Sequence, residues 1–393
     1  MGRAESGRSG LVVHVFVARS GPSAQEHAER LGGLWSALGS RLGMTVESGG
    51  AVSVREAPEG PLRQGVLRDV HDLRCLGVAL TGGTWRELAE LWEGCAGDLG
   101  WVLGECRLFV DYERGQPARG LTRSVLPALP GAEREYRFTR ANRFAVWETG
   151  LRDGNARRLR VFAVIADVER ERDLDAWLWS SGDERMSPLA RFLMHAAKVR
   201  FQLRVYDEGR VFHEARERVD EQAARVVAAL EDDRLLAAHR ELMHRQAAPD
   251  GLIWTMTRLR EMLRTVEIAR HNMRGTPFED DLALADWFRL RIQDDLGYAD
   301  ATRERAREIG AITDLVIRER LQARAEASER RWGRFGVLET AVIGTLLMML
   351  AAVQSLGYKV PVDDAAKPYI VAALGAVAFL LTAFGFVRWR RNR

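Results

Sequence analysis

The amino-acid sequence predicts an α+β fold: a ferredoxin-like mixed sheet domain, then a long helical bundle or coiled-coil stalk, then a C-terminal two-helix transmembrane hairpin. Three observations carry this prediction. Short β-branched runs dominate the first part of the chain, apolar residues from 186 onward recur at about 3.5-residue spacing, and two long apolar runs close the sequence. The implied division is a disordered N-terminus (1–10), a sheet domain (11–185), a bundle and stalk (186–334), the hairpin (335–387) and a basic tail (388–393).

The run LVVHVFVA at 11–18 predicts a strand that ends at a Gly21-Pro22 turn. Ser23 and Glu26 then have capping-box spacing, and Leu31, Leu34, Trp35, Leu38 and Leu42 share one helix face that stops at Gly43. A weaker strand follows near Val46 to Val54. The pattern repeats with a strand from Leu73 to Leu80, a second capping-box pair at Thr84 and Glu87, and a helix face of Leu88, Leu91, Trp92 and Cys95. A strand from Glu105 to Tyr112 closes the unit. Two βαβ units in this order predict a ferredoxin-like sheet with both helices on one face. Residues 113–143 read as a long exposed loop rich in arginine (Arg114, Arg119, Arg123, Arg134, Arg137, Arg140), a candidate protease-sensitive segment because loops of this length are often functional. Phe144 to Glu148 and Leu159 to Val168 extend the sheet as a hairpin, the second strand apolar on both faces.

Ser187 and Pro188 predict a helix start, followed by a coiled-coil seam of Phe192, Ala196, Val199, Leu203 and Tyr206. Gly209 interrupts it, and Val219, Ala223, Val226 and Leu230 resume the rhythm. A turn at Pro249, Asp250 and Gly251 precedes a helix with Leu252, Met256, Leu259, Met262, Val266 and Met273 inward. Thr276, Pro277 and Glu279 predict a capped third helix with no strong breaker before Gly357. Roughly 55 residues of it before the bilayer would make a stalk of about 80 Å at ~1.5 Å per residue.

Phe335 to Leu356 and Tyr369 to Val387 each approach the ~20 apolar residues that cross a bilayer core. Glu339 is the one charge in either run, within snorkelling reach of Arg334 or Arg331. Arginines flank the pair outside (Arg330, Arg331 and Arg334 before it; Arg388, Arg390, Arg391 and Arg393 after it), which predicts two spans in the inner (plasma) membrane with both termini cytoplasmic. Trp332, Tyr358, Tyr369 and Trp389 mark the four ends as interfacial anchors.

With 47% apolar and 29% charged residues in 393, the composition excludes a disordered or low-complexity chain. The net charge of +3 resides wholly in residues 335–393, so the rest is formally neutral and nothing global argues for nucleic acid. Cys75, Cys95 and Cys106 lack CxxC spacing and suit a reducing compartment. There is no GxxxxGK(S/T), GxGxxG or GxSxG motif. His213, Glu214 and Glu217 fall short of HExxH, and His239 and His244 are five apart, on different helix faces. Cys75, four residues after His71, sits in a buried strand as a small hydrophobe. No catalytic, cofactor or metal residue is therefore predicted, and the chain reads as a non-enzyme.

The segments LVVHVF (11–16), VLRDVHDLRCLGVAL (66–80), GECRLF (104–109), HAAKVRFQLRVY (195–206) and LRTVEIARHNM (263–273), ending in the hairpin, resemble the caspase- and TPR-repeat-associated (CATRA) proteins of bacterial conflict systems. That resemblance implies a non-enzymatic adaptor, sensor or effector encoded beside caspase-like peptidases and TPR or NTPase partners, and it assigns no catalytic residues. The stalk and hairpin are also similar in architecture to CorA-type divalent-cation channels. Ser355, Leu356 and Gly357 replace the Gly-Met-Asn signature of that family, which counts against selective magnesium transport. The alternative reading is an oligomeric ion channel or transporter with Thr345, Gln354 and Ser355 as polar pore candidates. Either reading expects a membrane and a homo-oligomer formed through the stalk helices.

Overall fold

The computed structural model describes residues 9–50, 52–115, 128–129, 136–149, 154–179 and 184–356, with scattered residues from 363 to 384. Strand β1 (Gly10–Ala18) is buried along nearly its whole length and pairs antiparallel on both sides, with β5 (Leu73–Thr81) and β6 (Gly104–Glu113). Its β-branched run suits a strand enclosed on two faces and two edges. β4 (Arg63–Val70) pairs with β5, and helices α1 (Ala24–Leu42) and α2 (Trp85–Ala96) lie between the strands in sequence. The order β4-β5-β1-β6 is that of a ferredoxin-like sheet. On the outer side of β4 follow β3 (Ser53–Glu56) and β2 (Val46–Ser48). Beyond β6 come β9 (Leu159–Asp167), β8 (Phe144–Thr149) and β7 (Arg137–Ala141), completing a nine-stranded sheet among the described residues. Among the described strands only the β6–β9 pair is parallel.

Pleating divides β1 between two cores. Leu11, Val13, Val15 and Val17 meet Leu31, Leu34, Leu38 and Leu42 of α1 and Leu88 and Trp92 of α2. Trp92 is wholly buried, and its indole Nε1 donates to Glu105 Oε1 at 2.8 Å, so the large ring leaves no polar group unpaired. α1 stops where Gly43 turns left-handed (φ 67°) and its N–H bonds the Leu38 carbonyl. α2 starts with a complete capping box: the Thr84 hydroxyl accepts from the Glu87 N–H, and the Glu87 carboxylate accepts from the Thr84 N–H.

The opposite face, with Val12, His14 and Phe16, is covered by α3 (Glu171–Leu178) and α4 (Pro188–Tyr206). α4 begins as the sequence predicts, with Ser187 as N-cap and Pro188 at the first position. Gly104 lets it approach β6, since a Cβ there would lie 2.8 Å from Ala197 Cβ. A left-handed turn at Asp207, Glu208 and Gly209 separates α4 from α5 (Arg210–Ala228). α6 (Leu235–Ala247), α7 (Leu252–Met273) and α8 (Glu279–Leu356) follow, α7 packing against α4. Residues 1–222 and 241–306 form one compact unit, and 223–240 with 307–393 form another. In the second, Arg320 donates to the carbonyls of Leu230 and Asp232, and Arg324 pairs with Asp233 at 2.8 Å.

Several expectations are corrected. The weak strand at 46–54 is two short strands at one end of the sheet, and the second strand of the ferredoxin-like order is β4, whose sequence RQGVLRDV is only half-buried and so shows little alternation. Residues 137–141 of the expected loop form β7; an edge strand tolerates its arginines, which hide the strand pattern. Ser23 makes no side-chain cap, and Glu26 pairs instead with Arg30 at 2.8 Å. The coiled-coil seam read in α4 is a sheet-covering helix, buried almost all round because it packs on strands and on α7. Thr276 does not cap α8: its hydroxyl donates to the Met273 carbonyl at the end of α7, and α8 begins at Glu279. Among the described residues no helix is long and apolar enough to cross a membrane. The hairpin expected at 335–387 therefore has no spanning helix in the described structure, and much of its second half lies outside the described residues.

Replacing Thr84 with alanine removes the cap of α2 while leaving its buried face intact. The expected cost is about 1 kcal/mol, read as a lower urea midpoint at unchanged slope.

Candidate functional site

β9 is apolar apart from its last residue, Asp167, and Arg160, which alternation places on the face covered by α4. Its Nε donates to Glu148 Oε1 of β8 at 2.7 Å, and its Nη2 donates to Asp281 Oδ2 in the first turn of α8 at 3.0 Å. Arg157, just before β9, donates to the same Glu148 oxygen at 2.6 Å. Arg200, on the buried side of α4, brings a guanidinium nitrogen to 2.6 Å from Asp281 Oδ1. None of the five is more than 5% exposed. Phe162 lies under the Arg160 guanidinium at 4.9 Å, and Phe278, which precedes α8, stacks on Phe192 of α4 at 4.9 Å. At the rim Arg137 of β7 pairs with Asp280 at 2.6 Å.

Burial alone would raise the Glu148 carboxyl, but Arg160 and Arg157 outweigh it and hold it down at about 2. Burial works against the Arg160 charge too, and Asp281 and Glu148 more than compensate, so its pKa is raised. Glu148 and Arg160 thus hold each other in their charged forms.

Strand register continues this row across the sheet from Arg160 through Cys106 and His14 to Gly77. A narrow crevice there is lined by His14, Arg68, Cys75, Gly77, Trp179 and Ser187. His14 lies 3.0 Å from the Leu178 carbonyl, so its Nε2–H is the donor, and burial lowers its pKa to about 4 against the opposing pull of that hydrogen bond. Burial pushes the Cys75 and Cys106 thiols up to about 12, which removes thiolate chemistry, and the Cys75 thiol donates to Met194 Sδ at 3.8 Å. Among the described residues no group of three or more His, Cys, Asp and Glu is placed to hold a metal.

The residues singled out by sequence do not converge on this place. Arg137 and Arg140 lie on β7, Arg114 is exposed just after β6, and Arg119, Arg123 and Arg134 fall outside the described residues. Trp332, Arg334 and Glu339 lie on α8, with side chains outside the description. Tyr369 is helical and exposed, whereas Tyr358, Arg388, Trp389 and Arg390 are outside the described residues. The pore candidates Thr345 and Ser355 return their hydroxyls to the α8 backbone, at the carbonyls of Ala341 (2.7 Å) and Ala352 (3.0 Å). The ionic network was not anticipated. Its sequence signal is a charge inside an apolar run: Arg160 before VFAVIA, and Arg200 four residues after Ala196 on an apolar helix face.

Residues 10–182 match the family model described as the CASPASE and TPR Repeat-Associated N-terminal domain, and residues 187–306 match the corresponding C-terminal domain. The chain belongs to the CATRA family. CATRA domains mark it as a component of a caspase-associated conflict system. The network joins the two CATRA segments, with Glu148, Arg157 and Arg160 from the first and Arg200 and Asp281 from the second. No curated protein matches the chain. Among solved structures it is similar to the CorA magnesium transporter from Methanocaldococcus jannaschii, at 10% identity over 74% of this chain and 92% of that one, with a TM-score of 0.22. A likeness that weak carries no argument about this fold.

Asp281→Asn leaves Arg160 and Arg200 without their shared carboxylate and should cost about 3–5 kcal/mol in urea unfolding. The buried neutral His14 gives a second prediction. Its folded pKa of about 4 lies below the ordinary histidine value of 6.5, so its contribution is complete above pH 6.5 and is lost as pH falls towards 4. His14→Phe should flatten that part of the stability-against-pH curve, removing as much as about 3 kcal/mol of pH dependence.

Proposed function

We propose that this CATRA protein is a membrane-anchored, non-enzymatic adaptor or effector that works with a caspase-like peptidase. The observation that carries the anchoring is the surface of the C-terminal segment. Ile343, Leu346, Leu347 and Met348 of α8 are 50–61% exposed, and Val377, Phe379, Leu380 and Phe384 are 51–65% exposed. So many large apolar side chains in water call for a cover, and a bilayer supplies one. Gly375 supports a hairpin within this segment: a Cβ there would collide with the Met349 side chain, the close approach that small residues allow between membrane helices. Flanking arginines and the aromatic residues Trp332, Tyr358, Tyr369 and Trp389 would set its orientation, with both termini cytoplasmic.

In this reading the peptidase or a TPR partner engages the CATRA segments, and α8, a single helix from the ionic network to Leu356, carries the response towards the anchor. Ile312, Leu315 and Leu321, exposed along α8, would meet other copies of the chain. Cleavage near Arg114 or in the segment after it is one way for the peptidase to act.

Flotation with liposomes tests the anchor. The full chain should float with the lipid and resist extraction by carbonate, and a form ending at residue 334 should stay in the soluble fraction. Equal partition of the two forms would overturn the anchoring role of residues 335–393.

A further inference from the structure

Among the described residues the buried ionic network is not electroneutral: Arg157, Arg160 and Arg200 bring three positive charges to the two carboxylates of Glu148 and Asp281. A guanidinium does not deprotonate in a protein, and an uncompensated buried charge costs several kcal/mol. Burial and the neighbouring Arg160 lower the Arg200 pKa to about 10, which leaves it charged at neutral pH. Donors are in surplus as well. Arg157 Nε, Arg160 Nη1 and Arg200 Nε are buried with no hydrogen-bond partner among the described residues. Two further arginines border the group without a carboxylate among the described residues. Arg158 has a buried, unpartnered Nε, and Arg204 donates to the backbone carbonyls of Ala156 (2.9 Å) and Leu103 (2.5 Å).

We propose that the seam between residues 157–160 and α4 binds a small monovalent anion of chloride size, held by the unpartnered N–H groups of Arg157, Arg160 and Arg200. One negative charge neutralises the buried cluster and accepts the orphaned donors. The tight approach of α4 to β6 at Gly104 and Ala197 favours a monatomic anion over a phosphate. The site lies where the two CATRA segments meet, so its occupancy would set how firmly Asp281, and with it the start of α8, is held. It stands independently of the membrane reading.

The test is urea unfolding of the full chain at fixed ionic strength, with sodium chloride exchanged stepwise for sodium gluconate, whose anion is too large for the seam. Above the dissociation constant, each tenfold rise in chloride should raise the folded-to-unfolded ratio about tenfold. Two variants shift the charge count in opposite directions. Arg200→Met leaves two charges against two and should lose the chloride dependence, whereas Glu148→Gln leaves three against one and should shift its onset to lower chloride. Identical midpoints in the two salts, or an undiminished chloride effect in Arg200→Met, would overturn the site. Should either variant not fold, bromide-soaked crystals of the unaltered protein decide the matter. An anomalous peak within hydrogen-bond reach of the three arginines supports the proposal, and a map without one refutes it.

Discussion

Asp281 held between Arg160 and Arg200 is the contact on which the rest of the first unit depends. The carboxylate comes from the first turn of α8, one arginine from β9 and the other from α4, so one acidic side chain fixes a helix to a strand and to a second helix. Its position in that turn also places a negative charge at the positive end of the helix dipole. Apolar residues of similar volume could match the stability of such a cluster, because desolvation consumes most of the Coulombic gain. They would not dictate which residue of α8 faces which strand. The aromatic contacts beside it, Phe278 on Phe192 and against Phe162, supply burial without that choice of partner.

The sheet explains why a charged cluster can sit so deep. A ferredoxin-like half normally leaves one face open, with its helices on the other. Here α3 and α4 cover the second face, and β9 adds in parallel beside β6, so β1, β6 and β9 are enclosed on both sides. Any polar side chain on that inner face must find a partner within the protein. His14 meets a backbone carbonyl, the thiols of Cys75 and Cys106 stay neutral, and Arg160 meets two carboxylates. The same enclosure that makes these groups structural deprives them of the solvent access a catalytic group needs.

Most elements were legible in the sequence because their burial is one-sided and periodic: β1, α1, β5, α2, β6, the β8–β9 extension, the start of α4 and the inward face of α7. What escaped did so for identifiable reasons. β4 is half-buried and β7 is an arginine-bearing edge, so neither shows clean alternation. The two capping-box spacings were indistinguishable as strings, yet Thr84 adopts the extended backbone (ψ 157°) that aims its hydroxyl at the N3 amide, and Ser23 (ψ 11°) does not. Least legible was the network itself. Its members lie on four separate stretches between residues 148 and 281, and a long-range charge pairing leaves no period in any one of them.

That distribution bears on how the two CATRA segments can work. Three members of the network come from the N-terminal segment and two from the C-terminal one, and Asp281 serves an arginine of each, so the N-terminal segment alone leaves Arg160 without its second carboxylate. Separated, the first would keep Arg157 and Arg160 around a single Glu148, and the second Arg200 around Asp281. The arginine excess would then be confined to one part. The two segments are therefore interdependent for electrostatic reasons, beyond any area they bury together. A partner that pulled the sheet from α8 would have to expose or re-pair these charges at the same moment. Such a step is discrete: buried charges are either paired or solvated, with little stable ground between, so separating the two segments would carry a threshold.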